Sequence, residues 1–211
     1  MSKKLIEKYV KCIVNESLSS DNPDKESLAS AGKAKRKLRI FDFDDTLVKT
    51  QSKVGVLKAD GTKLALTPGE YAVYHKEPGD EFDYSHFQDL VEPEEIKWMT
   101  RVLKRVINKH GVNAAVILTA RGTKKPVEKF FKLLNITPIP IVALNDSDPA
   151  AKAQWILYVI KKFNYDVVEF FDDSPKNVAA VEALAPLVPQ TKIISRLIQH
   201  KKIILPSEEK K

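Results

Sequence analysis

The chain has 211 residues, of which 43% are hydrophobic, and its 35 Lys/Arg and 28 Asp/Glu give a formal net charge of +7. This composition supports a buried core and excludes global disorder. The single cysteine excludes an intramolecular disulfide, and the absence of any apolar run of about 18 residues excludes a membrane span. We therefore expect a cytoplasmic protein of one domain, or one domain with an arm.

The positive charge is concentrated at the two ends of the chain. Residues 1–37 have nine basic and five acidic residues, and residues 192–211 have six and two. The segment between them carries a net charge of −1. The ends are therefore either solvated tails or arms that bind nucleic acid, and the net charge of the central body does not indicate nucleic-acid binding by that body.

Residues 3–18 are predicted to form a separate amphipathic helix, followed by a polar linker up to residue 37. Its apolar positions recur at helical spacing: Leu5, Ile6, Tyr9, Val10, Ile13 and Val14. Because a short isolated helix is marginally stable in water, we expect it to dock on the main core, on a second copy or on another protein. Residues 196–211 are predicted to be a basic tail.

Residues 38–43 form an apolar run that predicts a buried strand. Asp60-Gly61 predicts a hairpin turn between strands at 54–57 and 64–66, and residues 77–92 are interpreted as an ordered loop. A helix is predicted to start at Pro93, with Glu94 and Glu95 in its first turn, and to end at Gly111.

From residue 114 onward strands and helices alternate. Strands are predicted at 114–118, 140–144, 167–171 and 192–194, and helices at 125–134, 150–163 and 175–184. This alternation predicts an α/β fold, a Rossmann-like three-layer sandwich with a five-stranded parallel sheet. In such sheets the chemistry lies at the carboxyl ends of the strands.

Polar side chains follow three of these strands. Asp42 and Asp44 follow the first, Thr119 and Arg121 the second, and Asp172 the strand at 167–171. Asp42 and Asp44 are two positions apart, so they point the same way in an extended chain, and their like charges favour a cation between them. Carboxylate oxygens suit Mg²⁺, and the scattered histidines offer no zinc site.

Helix capping is the alternative explanation for acids at strand ends. Asp173 or Ser174 could cap the helix at 175–184, but capping leaves the first acidic pair unexplained. Lys152 and Lys176 each fall in a first helical turn, where a cation opposes the helix dipole unless it faces an anion. Either lysine alone could be an ordinary exposed residue, but one of them is expected to balance the carboxylates and a bound phosphate.

These residues resemble the motifs of the haloacid dehalogenase superfamily of phosphohydrolases. Residues 42–47, Asp-Phe-Asp-Asp-Thr-Leu, resemble its first motif, although Asp45 stands where glycine is common. Thr119, Lys152 and the pair Asp172-Asp173 resemble the second, third and fourth motifs, in the family's order. The resemblance covers residues 38–195 and implies the superfamily's fold, with a small hairpin-containing cap at about 48–92.

The resemblance also implies the chemistry of a phosphatase. Asp42 would be the nucleophile that forms an aspartyl-phosphate, and Asp44 the general acid and base. Thr119 would bind a phosphoryl oxygen, and Lys152 would hold the nucleophile and the phosphate together.

The metal implied by the resemblance is Mg²⁺. Its ligands would be Asp42, the backbone carbonyl of Asp44, and Asp172, with Asp173 in close support. Independently of the resemblance, phosphoryl transfer requires in-line positioning of the reacting groups and neutralisation of the negative charge spread over the phosphoryl oxygens.

The substrate class is indicated only by analogy. The sequence also resembles polynucleotide 3′-phosphatase and RNA-repair phosphatase domains, so a phosphorylated nucleotide or nucleic-acid end is the favoured substrate. Candidate substrate-binding residues are Thr46, Arg121, Lys176 and Asn177. The aromatic residues of the insertion stack on a base or form its own small core: Tyr71, Tyr74, His75, Phe82, Tyr84 and Phe87.

A different class of function remains open. The protein could be a binding or assembly module that docks on a partner, or on itself, through the 3–18 helix. Its phosphatase activity would then be tethered or lost.

Overall fold

The computed structural model describes residues 35–67, 70–71 and 74–199. The predicted 3–18 helix, most of the linker and the tail beyond residue 199 lie outside the described residues. Within the described part, no helix is long and apolar enough to cross a membrane.

The described residues form ten strands and four α-helices, numbered here in chain order. The strands are β1 (Lys37–Phe41), β2 (Val48–Lys49), β3 (Val54–Leu57), β4 (Lys63–Leu66), β5 (Glu81–Asp83), β6 (Glu94–Glu95), β7 (Ala115–Thr119), β8 (Ile141–Ala143), β9 (Val167–Asp172) and β10 (Lys192–Leu197). The helices are α1 (Lys97–His110), α2 (Lys125–Leu133), α3 (Pro149–Phe163) and α4 (Pro175–Glu182).

The main sheet has five parallel strands in the order β10-β9-β1-β7-β8. Helices cover both faces of this sheet, and every residue of β7 and β8 is buried. Leu103 of α1 and Phe130 of α2 belong to one apolar cluster, whereas Trp155 of α3 and Val181 of α4 belong to the other. The predicted α/β class and five-stranded parallel sheet are confirmed.

The strand order determines where the site can form. β1 lies at the centre, hydrogen-bonded to β7 on one side and β9 on the other. The carboxyl ends of these three strands therefore lie next to one another at a single edge. The last strand, β10, runs to Leu197 and is longer than the predicted 192–194. Just beyond it, the amide of Ile198 donates to the carbonyl of Asp172 at 2.8 Å.

The prediction for the start of α1 is wrong by one turn. The helix begins at Lys97, and Glu94–Glu95 forms β6, which pairs antiparallel with β2. The amide of Ile96 donates to the carbonyl of Leu47 at 2.9 Å, and this bond holds the segment extended. The end of the helix is as predicted, because Gly111 has a φ of 79°, which glycine adopts without strain.

The predicted hairpin in residues 48–92, called the insertion below, is present. β3 and β4 pair antiparallel around the turn at Asp60-Gly61, where Gly61 has a φ of 86°. The segment 77–92, interpreted as a loop, adds a third strand, because β5 pairs with β3. The insertion therefore contains a small three-stranded sheet of its own.

The core packing gives a stability prediction. Leu118 lies in β7 with 0% of its surface exposed, so Leu118→Ala should lower the free energy of unfolding by about 2–5 kcal/mol. Leu133, at the end of α2, is 60% exposed, and Leu133→Ala should change it by less than about 0.5 kcal/mol. Urea denaturation of both variants measures the difference, and equal losses would contradict this packing.

Candidate active site

A cleft of about 760 Å³ opens at the carboxyl edge of the main sheet. The strand ends supply Asp42, Thr119 and Asp173 to its walls, and the insertion supplies Tyr71 and Tyr84. The cleft therefore lies where the strand order and the acidic strand ends predicted a site.

The turn after β1 sets the position of the first acids. The amide of Asp42 continues the sheet by donating to the carbonyl of Phe171 at 2.9 Å. The chain then turns sharply, because the amides of Leu47 and Val48 both donate to the carbonyl of Phe43. Asp45 adopts a φ of 52° within this turn. This left-handed conformation favours glycine but tolerates aspartate, which explains a glycine-prone position occupied by Asp.

Lys152 joins the acids of two strands. Its Nζ donates to Asp42 Oδ1 at 2.6 Å and to Asp172 Oδ2 at 2.7 Å, and all three side chains are buried. Asp148 positions the lysine by capping α3, since its side chain accepts the amide of Ala150. Although burial lowers the pKa of Lys152, the two carboxylates raise it more, and the net shift is upward. Lys152 is therefore the lysine that balances the acids.

Asp172 is held by several donors. Asn177 Nδ2 lies 3.0 and 3.1 Å from its two oxygens, and the amide of Ser174 donates to Oδ1 at 2.8 Å. Asn177, a predicted substrate-binding residue, therefore orients an acid of the site, although it also borders the cleft. Ser174, not Asp173, caps α4 by accepting the amide of Asn177. Asp173 is thus left to face the cleft.

Three carboxylates come close enough to share a cation. Oxygen atoms of Asp42, Asp172 and Asp173 all lie within 4.8 Å of one another. Burial, followed by the charge of Asp172, raises the pKa of Asp173 to about 7. Burial also raises the pKa of Asp42, although Lys152 opposes that shift. An all-oxygen donor set with uncompensated negative charge fits a hard divalent cation such as Mg²⁺.

The side chain of Asp44 pairs with Arg121, whereas the sequence predicted a cation between Asp44 and Asp42. Both of its oxygens accept from Arg121, through Nε at 2.8 Å and a terminal nitrogen at 2.7 Å. Arg121 is almost fully buried and also donates to the carbonyl of Asp89 at 3.0 Å. The predicted phosphate-binding guanidinium therefore holds the Asp44 carboxylate, which lies outside the three-carboxylate cluster, and ties it to the end of the insertion.

The other predicted residues are divided between the cleft and the core. Thr119 is buried at the end of β7 and borders the cleft. Lys176 is exposed at the cleft rim. Thr46 was expected to bind substrate, but it does not line the cleft. The turn at Asp45 leaves Thr46 completely buried, and its hydroxyl has no hydrogen-bond partner among the described residues.

Sequence reasoning missed the contact between the insertion and the loop after β8. The Tyr71 hydroxyl lies 2.6 Å from that of Tyr84 and 2.8 Å from Ser147 Oγ, and Lys76 Nζ donates to the same oxygen at 3.2 Å. Only the position of Ser147 shortly after a strand end could have indicated it. This network holds the insertion beside the loop that leads to α3.

The aromatic residues of the insertion form a small core of their own, which is one of the two roles that the sequence allowed. Tyr71 and Phe82 pack edge to face with ring centroids 5.8 Å apart, and Phe82 stacks on Tyr84 at 6.1 Å, so they form a small core. Tyr71, Tyr74 and Tyr84 nevertheless border the cleft, as does the exposed His75. The side chain of Phe87 lies outside the described part of the structure.

The pKa of Asp173 predicts how stability depends on pH when no metal is bound. The value rises from the ordinary 3.8 to about 7, so between these pH values the folded protein binds more protons than the unfolded chain. In EDTA, the contribution of Asp173 to the free energy of unfolding should therefore fall by at least about 1 kcal/mol from pH 4 to pH 7. Asp173→Asn should reduce this fall, as urea titrations at several pH values would measure. Glu182→Gln, at an exposed carboxylate, is the control, and an unchanged slope in Asp173→Asn would contradict the assignment.

Comparisons with known proteins leave the cleft to be interpreted from its own geometry. No model of a known protein family matches the chain, and neither a curated protein nor a solved structure is significantly similar to it. The resemblance to the haloacid dehalogenase superfamily thus stays a prediction, drawn from residues 42–47, Thr119, Lys152 and the pair Asp172-Asp173.

Proposed function

We propose that the protein is a Mg²⁺-dependent phosphomonoester hydrolase that works through an aspartyl-phosphate on Asp42. One observation carries the proposal: three buried or half-buried carboxylates and Lys152 converge in one cleft beside Thr119. Phosphoryl transfer needs little more than positioned groups that neutralise negative charge.

Asp42 is suited to be the nucleophile. Its side chain is 5% exposed at the floor of the cleft, and Lys152 holds Oδ1 at 2.6 Å. That contact orients the carboxylate so that Oδ2 can attack phosphorus in line with the leaving oxygen. The oxygen–phosphorus bond to Asp42 then forms as the bond to the leaving group breaks.

Asp44 is suited to transfer protons in both steps. It borders the cleft two residues from Asp42, and its bidentate pair with Arg121 fixes its orientation. In the first step it would give a proton to the leaving oxygen. In the second step it would take a proton from the water that attacks phosphorus and breaks the bond to Asp42, so it ends each cycle in its starting protonation state.

The remaining groups would hold the phosphoryl oxygens and the metal. Thr119 offers a hydroxyl donor and Lys152 a buried positive charge. Asp42, Asp172 and Asp173 would hold the cation, and Asp173, whose carboxylate faces the cleft, has the greatest freedom to do so. A bound Mg²⁺ would supply further neutralisation of the charge on the phosphoryl group.

The nucleophile predicts a loss of activity. Asp42→Asn should lower the rate of phosphate release from 4-nitrophenyl phosphate in Mg²⁺ by at least about 1000-fold, because an amide is a poor nucleophile. Glu182→Gln, far along α4, serves as the matched acid-to-amide control and should keep full activity. A folded wild-type protein that releases no phosphate from aryl, sugar, nucleotide and peptide phosphates would disprove the proposal.

The carboxylate cluster predicts metal binding without reference to activity. Mg²⁺ at 100 times its dissociation constant should raise the free energy of unfolding by about 2.7 kcal/mol. Asp173→Asn should weaken this stabilisation, because it removes the carboxylate that faces the cleft. Thermal unfolding with and without Mg²⁺ measures both effects. A wild-type melting temperature that is the same with and without Mg²⁺ would contradict the metal assignment.

A further inference from the structure

Helices α1 and α2 carry an unusual concentration of positive charge. Residues 97–134 contain ten Lys/Arg and a single acid, Glu128. One of the ten, Arg121, is buried against Asp44. We define the basic face by the exposed cations of the two helices: Lys97, Arg101, Arg105, Lys109, Lys125, Lys129 and Lys132.

The two helices form one continuous surface. Both bury their apolar sides in the same core cluster, through residues such as Leu103 and Phe130. Lys104 Nζ also donates to the carbonyl of Leu134, just beyond α2, at 3.2 Å. The cations of α1 and α2 therefore point away from the same face of the main sheet.

Acids do not neutralise this face. No cation of the basic face forms a salt bridge with a carboxylate of the described residues, whereas Glu169 alone pairs with Lys37, Arg39 and Arg196 on the sheet. Four cations of α1 follow one another at intervals of four residues, and like charges at this spacing destabilise a helix. A bound polyanion would remove that repulsion.

The shape of α1 favours a phosphate backbone as this polyanion. The cations at 97, 101, 105 and 109 form a line about 18 Å long, with about 6 Å between neighbours along the helix axis. A shallow depression on the same helix is lined by Arg101, Lys104, Arg105, Asn108 and Lys109. Trp98 is 46% exposed near this line and offers a ring on which an unpaired base could stack.

The basic face starts beside the cleft. α2 begins at Lys125, two residues after Thr123, which borders the cleft. α1 begins directly after Ile96, whose amide donates a hydrogen bond to the carbonyl of Leu47. Leu47 belongs to the segment that carries Asp42 and Asp44. A strand lying along either helix could therefore bring one end to the cleft.

We propose that the basic face binds the backbone of single-stranded nucleic acid. The strand contacts the cations of α1 and α2 through its phosphates, and Trp98 stacks on a base. Binding by this face does not require hydrolysis. Only the further step, in which the bound strand presents a terminal phosphate to the cleft, rests on the proposed function.

The test measures binding of a 5′-fluorescein 20-nucleotide DNA that has no terminal phosphate, by anisotropy over a range of KCl concentrations. The variant Arg101→Glu/Arg105→Glu should weaken binding by on the order of 10-fold or more and lower the salt slope by about 1.4, from two lost phosphate contacts. The matched control, Lys161→Glu/Lys162→Glu, changes two exposed lysines of α3 on the opposite face of the sheet and should bind like the wild type.

Trp98→Ala tests the stacking contact separately. It should weaken binding by on the order of 10-fold while leaving the salt slope unchanged, because it removes a ring and no charge. Circular dichroism confirms that each variant is folded, and loss of binding counts only in folded variants.

Three results would overturn the inference. The first is no binding of the oligonucleotide at 50 mM KCl, and the second is an equal loss of affinity in the α1 double variant and the α3 control. The third is binding to phosphatidylserine vesicles that the oligonucleotide does not compete away. Because the probe carries no phosphomonoester, a failure here leaves the hydrolase proposal standing, and an inactive cleft leaves this inference standing.

Discussion

The buried contact between Lys152 and two aspartates is the interaction on which the rest of the site depends. It joins residues that are 110 and 20 positions apart in sequence and fixes α3 against the ends of β1 and β9. Removing one partner from a buried ion pair leaves an unpaired charge, which typically costs about 3–5 kcal/mol. The lysine therefore contributes to stability and to the electrostatics of the cleft at once. Even so, it leaves an excess of negative charge, and burial, followed by the charge of Asp172, raises the pKa of Asp173.

The parallel sheet makes this contact possible with only short connections between the strand ends and the site. Because β1 lies between β7 and β9, a side chain just past each strand end reaches the same cleft without any long excursion of the backbone. The same arrangement places the amino ends of α2, α3 and α4 at the cleft. The insertion closes one side through the hydroxyl groups of Tyr71, Tyr84 and Ser147.

The sequence was most informative where periodicity and motif spacing agreed. Alternating strands and helices predicted the sheet, and strand-end acids predicted the positions of Asp42 and Asp172. It was least informative about partners chosen by tertiary packing. Nothing local distinguishes an Arg121 that binds substrate from one that holds Asp44, and the inward turn of Thr46 depends on the left-handed Asp45. Glu94–Glu95 became a strand, because pairing with β2 outweighed its helix-start signals. The net charge of −1 for the central body also hid the basic face, since a sum cannot show where charges lie.

The uneven placement of charge gives the molecule an electric dipole. Residues 77–95 contain eight acids and no Lys/Arg, whereas α1 and α2 carry eight of the 20 Lys/Arg of residues 38–191. A polyanion that approaches by diffusion would experience a torque before any contact, with the acidic insertion repelling it and the helices attracting it. The productive orientation would thus be selected during the encounter, and this advantage would fade as salt shortens the range of the field.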